Sequence, residues 1–113
     1  MPRSQKVLFD DILEAIQRIE EYTEKMDIED FLESSLHQDA VMRNLSIIGE
    51  AVKGISQDTK KKYTAIDWRK IAGLRDILIH AYFGIDLDIV WDVVQNKLPT
   101  LKNQIQLIMS EQC

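Results

Sequence analysis

With 113 residues, of which 45% are hydrophobic and 29% charged, the chain can enclose one core but not two, so residues 1–113 are read as a single domain. This balance excludes a disordered acidic tail, a collagen-like repeat and a disulfide-dense scaffold. The net charge of −5 speaks against a uniformly basic surface, yet the charge is unevenly spread. Residues 1–40 carry 4 basic and 11 acidic side chains, residues 41–80 carry 8 and 4, and residues 81–113 carry 2 and 4, so a locally basic middle sits inside an acidic protein. The single cysteine, Cys113, allows neither a disulfide framework nor a thiolate cluster with metal-ligand spacing, which points to a reducing, cytoplasmic setting. The N-terminal stretch is interrupted by charge every few residues and predicts neither a signal peptide nor a membrane span.

Four glycines and two prolines are too few and too scattered for a β-rich fold, and helices are expected throughout. Val7, Leu8, Ile12, Ala15, Ile16 and Ile19 recur at helical spacing, with Asp10, Asp11, Glu14, Glu20 and Glu21 on the other face, which predicts an amphipathic first helix. Asp27 suits an N-cap with Asp30 three residues on. The apolar pattern then runs through Phe31, Leu32, Leu36, Ala40, Val41, Leu45, Ile48, Ala51, Val52 and Ile55, as one long helix or as two with a break near Ser34 and Ser35. Lys60, Lys61, Lys62 and the residues up to Ile66 read as a connection with room for one irregular turn. Asp67 then caps a helix starting at Trp68, with Ile71, Ala72, Leu74, Leu78 and Ile79 as its apolar contacts and an end between Tyr82 and Gly84.

Asp86 caps the last helix, whose stripe is Ile89, Val90, Val93, Val94, Leu98, Leu101, Ile105 and Ile108, with Pro99 expected to kink or interrupt it. The sum is an all-α antiparallel bundle of four or five helices with short connections. Trp68 and Trp91 read as core aromatics and the methionines as packing. His37 has only polar neighbours in sequence and no evident partner.

Polar groups of distinct chemistry punctuate one apolar stretch, Asp67-Trp-Arg-Lys-Ile-Ala-Gly-Leu-Arg-Asp-Ile-Leu-Ile-His-Ala-Tyr82. On a helix, Arg75 and Tyr82 share a side, whereas Asp76 and His80 stack four residues apart, so Asp76 can orient the imidazole. The last turn of such a helix favours a protonated His80. Taken singly, a helical histidine is more often a surface or satisfied core residue, and a neighbouring arginine more often a salt-bridge partner of some carboxylate.

In combination, Arg75-x4-His80 followed by Ala81-Tyr82 resembles the Arg-x4-6-His signature of HEPN ribonucleases, in the Arg-x4-His-x-Tyr form of HepT-like toxins. Asn44-Leu-Ser-Ile-Ile-Gly-Glu-Ala51, the run Trp68 to Gly73, and Phe83, Asp86, Trp91 and Leu98-Pro-x-Leu101 resemble the family pattern in order and spacing. Relatives often carry Asn where Asp76 stands here, and frequently Pro where Asp67 stands. The resemblance implies a HEPN-like bundle acting as a homodimer, in which two motifs face each other across a cleft. It implies metal-independent RNA cleavage without a cofactor, with His80 as general acid or base, Arg75 on the phosphoryl oxygens and Asp76 supporting His80. It further implies a toxin paired with an MntA-type nucleotidyltransferase antitoxin that attaches AMP to Tyr82.

Lys53, Arg69 and Lys70, with Lys60 to Lys62, are candidate RNA contacts on charge alone. A non-catalytic HEPN module that binds nucleotide or scaffolds a nucleotidyltransferase is the competing reading. A purely structural bundle, dimerising through its apolar faces, fits the periodicity but leaves Arg75, Asp76 and His80 unexplained.

Overall fold

The computed structural model describes residues 3–74, 78 and 86–112. Every regular element among them is helical: α1 (Arg3–Thr23), α2 (Ile28–Glu33), α3 (Ser35–Lys53), α4 (Gln57–Lys62), α5 (Trp68–Ala72), α6 (Leu87–Asp92), a π-helical turn (Val93–Lys97) and α7 (Leu98–Gln112). The all-α expectation is met. Among the described residues no helix is long and apolar enough to cross a membrane.

The molecule is organised around α1 and α3, which pack on each other in opposite directions. The start of α1 meets the end of α3, where the Gln5 amide donates to the Gly54 carbonyl at 3.1 Å and accepts from the Ser56 N–H at 2.8 Å. Gly54 is needed for this approach, because a Cβ there would lie 2.9 Å from a Leu8 methyl. The seam between the helices is dry, with Phe9, Ile12, Ile16 and Ile19 of α1 and Val41, Leu45, Ile48 and Val52 of α3 fully buried. The C-terminal helix lies against α1, also antiparallel, with Lys102 near its start paired to Glu20 near the end of α1 at 3.0 Å. Ile105 and Ile108 complete the core from that side.

Between α2 and α3 the chain breaks at Ser34, which ends one helix and caps the next by accepting the His37 N–H. Asp27 and Asp30 form a reciprocal capping box at the start of α2. The same break gives His37 the partner its sequence neighbours did not suggest, since its Nδ1 lies 2.5 Å from the Ser34 hydroxyl. Phe31 then packs against Trp91 of α6, with ring centroids 5.2 Å apart and planes tilted by 34°.

Four residues assigned to apolar stripes are exposed: Val7, Leu32, Leu36 and Ile89. Helical phase explains two of them. Val7 lies about 140° from Ile12 around α1, so it cannot share that buried face. Leu36, 75% exposed, lies about 140° from Val41 and about 180° from Leu45 around α3, away from that helix's buried face. Phe9, absent from the expected stripe, is fully buried.

Two further expectations are revised. The Lys60–Lys62 stretch is helical and not a plain connection: Ser56 caps α4 through the Thr59 N–H, and the three lysines occupy its last turn, where the dipole favours cations. The helix expected to run unbroken from Trp68 instead turns at Gly73, whose N–H bonds to the Arg69 carbonyl at 3.0 Å. Helical conformation returns at Leu74 and Leu78. The expected end between Tyr82 and Gly84, and the contact at Ile79, lie outside the described residues. At Pro99 the helical run is not broken but changes form: the preceding turn widens so that Leu98 N–H reaches back five residues to Val93, which makes room for a ring that would otherwise meet the carbonyl four residues before it.

Phe31→Ala, which empties a fully buried site, is expected to cost about 3–5 kcal/mol. Leu36→Ala should stay within about 0.5 kcal/mol of the parent. Denaturant unfolding of the two variants measures both.

Candidate active site

The residues with the most specific chemistry in the sequence, Arg75, Asp76, His80 and Tyr82, lie outside the described residues. What the structure defines is the frame around them. On the N-terminal side, α5 is held by its own cap and by a buried indole. The Asp67 carboxylate accepts the Lys70 N–H at 3.1 Å, and the buried Trp68 donates its Nε1–H to the Tyr63 carbonyl at 2.9 Å. Helix α5 packs on α3, and Leu78, inside the motif stretch, is buried in the core. On the C-terminal side Asp86 caps α6 through the Asp88 N–H at 3.0 Å. The motif stretch is thus bounded by two capped helix starts.

The candidate RNA contacts occupy different positions. Arg69 and Lys70 are exposed on α5, directly before the motif. Lys53 is exposed at the last turn of α3 and already has an interaction partner. Lys61 and Lys62 are exposed and Lys60 half-buried on α4, with the Lys62 ammonium 5.6 Å from the centre of the Tyr63 ring. Among the described residues no group of histidine, cysteine and carboxylate side chains could hold a metal ion.

The structure adds a residue whose burial was not evident in the sequence. Asn44 is 3% exposed, its amide donates to the Ala40 carbonyl at 2.9 Å, and no donor among the described residues reaches its Oδ1. An unmet buried acceptor of this kind costs roughly 1–3 kcal/mol. Asn44 lines a groove between the end of α1 and the start of α3, together with Arg18, Tyr22, Leu36 and Arg43. Periodicity could not signal it, because an asparagine inside an apolar stripe reads as an interruption.

Comparison with known proteins gives this frame its context. The family model described as "Ribonuclease HepT-like" matches residues 12–108, which include the whole motif stretch. The chain belongs to the HepT-like ribonuclease family. It is 47% identical over 106 residues to the "Probable ribonuclease HepT" of Thermococcus cleftensis, covering 94% of this chain and 96% of that protein. It is 45% identical over 111 residues to the "Gamma-glutamylcyclotransferase and putative RNase" of Methanocaldococcus jannaschii, covering 98% of this chain but 50% of that one, so the HepT-like chain spans half the length of this relative. Among solved structures, a tri-AMPylated Shewanella oneidensis HEPN toxin in complex with an MNT antitoxin superposes with a TM-score of 0.71 at 26% identity, covering 97% of this chain and 99% of that one. The HepT-like bundle is therefore an all-α HEPN fold.

Removing the cap that starts α5 should loosen the approach to the motif. Asp67→Ala is expected to lower stability by about 1 kcal/mol, with Asp67→Asn retaining most of it, as read from chemical denaturation of the two variants.

Proposed function

We propose that this HepT-like protein is the ribonuclease toxin of a toxin–antitoxin pair and cuts RNA internally at an Arg75-x4-His80 site shared between two copies. The observation that carries the reading is the presence of Arg75, His80 and Tyr82, at family spacing, inside the segment matched by the ribonuclease family model. Both groups suit the chemistry. An imidazole titrates near neutral pH and can take the proton of the ribose 2′-hydroxyl as that oxygen attacks the adjacent phosphorus. The forked donors of a guanidinium match the phosphoryl oxygens where charge builds as the pentavalent phosphorane forms.

The bond from phosphorus to the 5′-oxygen then breaks, leaving a 2′,3′-cyclic phosphate, and the departing oxygen needs a proton. One histidine cannot serve as base and as acid at the two ends in the same event. A second imidazole, supplied as its conjugate acid by the symmetry mate, completes the set, and this is the chemical reason to propose a homodimer. Asp76 is assigned the role of orienting His80. No divalent cation is required by this scheme, because the guanidinium carries the charge stabilisation.

The structural neighbour is an AMPylated toxin bound to an MNT antitoxin, which supports a nucleotidyltransferase partner for this chain. Tyr82 is the residue assigned to receive AMP: its phenolic oxygen attacks the α-phosphorus of ATP and pyrophosphate leaves. The added phosphates would repel an RNA backbone and occupy Arg75. The competing reading, a non-catalytic module that scaffolds the nucleotidyltransferase, makes the opposite prediction for catalysis.

Purified protein in EDTA should degrade RNA, and Arg75→Ala and His80→Ala should each reduce the rate about 10²–10⁴-fold. Equal behaviour of the three preparations would establish the scaffold reading instead. Co-expression with an MNT-type nucleotidyltransferase and ATP should add AMP units to the intact protein, seen by mass spectrometry. Tyr82→Phe should abolish the increment, and an unmodified Tyr82 in the parent would remove the proposed mode of neutralisation.

A further inference from the structure

An acidic protein that handles a polyanion must present a surface where the local field reverses. Residues 57–74 carry Lys60, Lys61, Lys62, Arg69 and Lys70 against only Asp58 and Asp67, and the Asp67 carboxylate is already engaged in capping α5. Elsewhere three basic groups are paired with carboxylates: Lys6 with Asp10 at 2.8 Å, Arg18 with Glu14 at 2.7 Å and Lys102 with Glu20 at 3.0 Å. Among the described residues, Lys60, Lys61, Arg69 and Lys70 form no such pair.

These cations stand on a rigid mount. The entry to α4 is clamped to α1 through the two Gln5 bonds to Gly54 and Ser56. The link from α4 to α5 is clamped to α7, where the Tyr63 hydroxyl donates to Glu111 at 2.6 Å and accepts from Gln112 at 3.2 Å. That clamp also commits the Glu111 carboxylate, which lies beside the ridge. Next to the lysines is a recess of about 230 Å³ lined by Lys62, Tyr63, Ile66 and Leu107, among others. Leu107 is 54% exposed there, an apolar side chain left open to solvent beside a cationic row. The recess falls below the roughly 300–1,000 Å³ of sites that enclose a whole drug-sized ligand, and so suits a single ring.

We propose that the α4–α5 ridge and its apolar recess hold a single-stranded segment of the RNA substrate, phosphates along Lys60, Lys61, Arg69 and Lys70 and an unpaired base against Leu107 and Tyr63. Cations tracking the backbone beside an apolar platform for a base are how single strands are held without sequence readout. A paired duplex, its bases stacked inward, has no use for the recess. Lys70 lies five residues before Arg75 in the chain. An acidic protein segment could also neutralise the cations; RNA is favoured because Lys62, which follows Lys60 and Lys61 in α4, lines the recess and the family acts on RNA. The proposal rests on the ribonuclease reading.

The test measures binding of a fluorescent oligouridylate to full-length His80→Ala protein by anisotropy over a range of salt concentrations. Lys60→Gln/Lys61→Gln and Arg69→Gln/Lys70→Gln should each weaken binding roughly tenfold and flatten the logarithmic salt slope by about 1.4, near 0.7 for each lost phosphate contact. Leu107→Ser should weaken binding about threefold and leave that slope unchanged, since it removes apolar contact with the base and no charge. Lys25→Gln/Lys97→Gln, with the same loss of charge elsewhere, should stay within about twofold.

The proposal is overturned if the Lys25/Lys97 pair matches the ridge pairs, if duplex RNA binds as tightly as the single strand, or if polyglutamate competes as well as oligouridylate. Circular dichroism confirms that each variant is folded. Ridge-dependent binding with no RNA cleavage by the parent would sink the ribonuclease reading alone, and cleavage with ridge-independent binding would sink this inference alone.

Discussion

The seam between α1 and α3 is the constraint on which the other elements depend. Phe9, Ile12, Ile16 and Ile19 interlock there with Val41, Leu45, Ile48 and Val52, all without solvent contact. Each such side chain contributes on the order of 1.5–3 kcal/mol of burial, set against the entropy of ordering two long helices. Because α1 and α3 are fixed on each other, α3 can offer a defined face to α5 and α1 can offer one to the C-terminal helix. The short helices α2 and α4 have too few residues to persist alone and are held by caps and by contact with this pair.

Charge is partitioned along the same framework. The acidic first third contributes α1 and α2, with carboxylates on their solvent faces, whereas the basic middle forms α4 and α5. A net charge of −5 therefore conceals a basic run from Lys60 to Lys70 within an acidic chain. Such a run favours an anionic partner at the elements that lead into the motif, while the acidic helices disfavour one.

Irregularities in the helices fall at places with identifiable physical causes. Ser34 closes α2 and opens α3, Gly73 ends α5, and the π-helical turn ahead of Pro99 lets one helical run continue from residue 87 to 112. The motif stretch lies between two of these capped starts, at Asp67 and Asp86, so its two approaches are positioned by local hydrogen bonds as well as by the core.

Much of this was determined by the sequence alone. Helical class, the caps at Asp27, Asp67 and Asp86, the break near Ser34 and the family motif follow from local rules: a capping side chain reaches only two or three residues, and an apolar stripe repeats within one helix. The same local reach explains what was missed. A six-residue helix of Gln57 to Lys62 with no buried side chain has no stripe to read, and stripe membership could not tell that Val7, Leu36 and Ile89 face water or that Phe9 does not. Those outcomes are decided by which neighbour covers a face, and only tertiary packing supplies the neighbour. The burial of Asn44 beside α1 and the clamp of Tyr63 on the C-terminal helix belong to that second class, because each depends on elements distant in the chain.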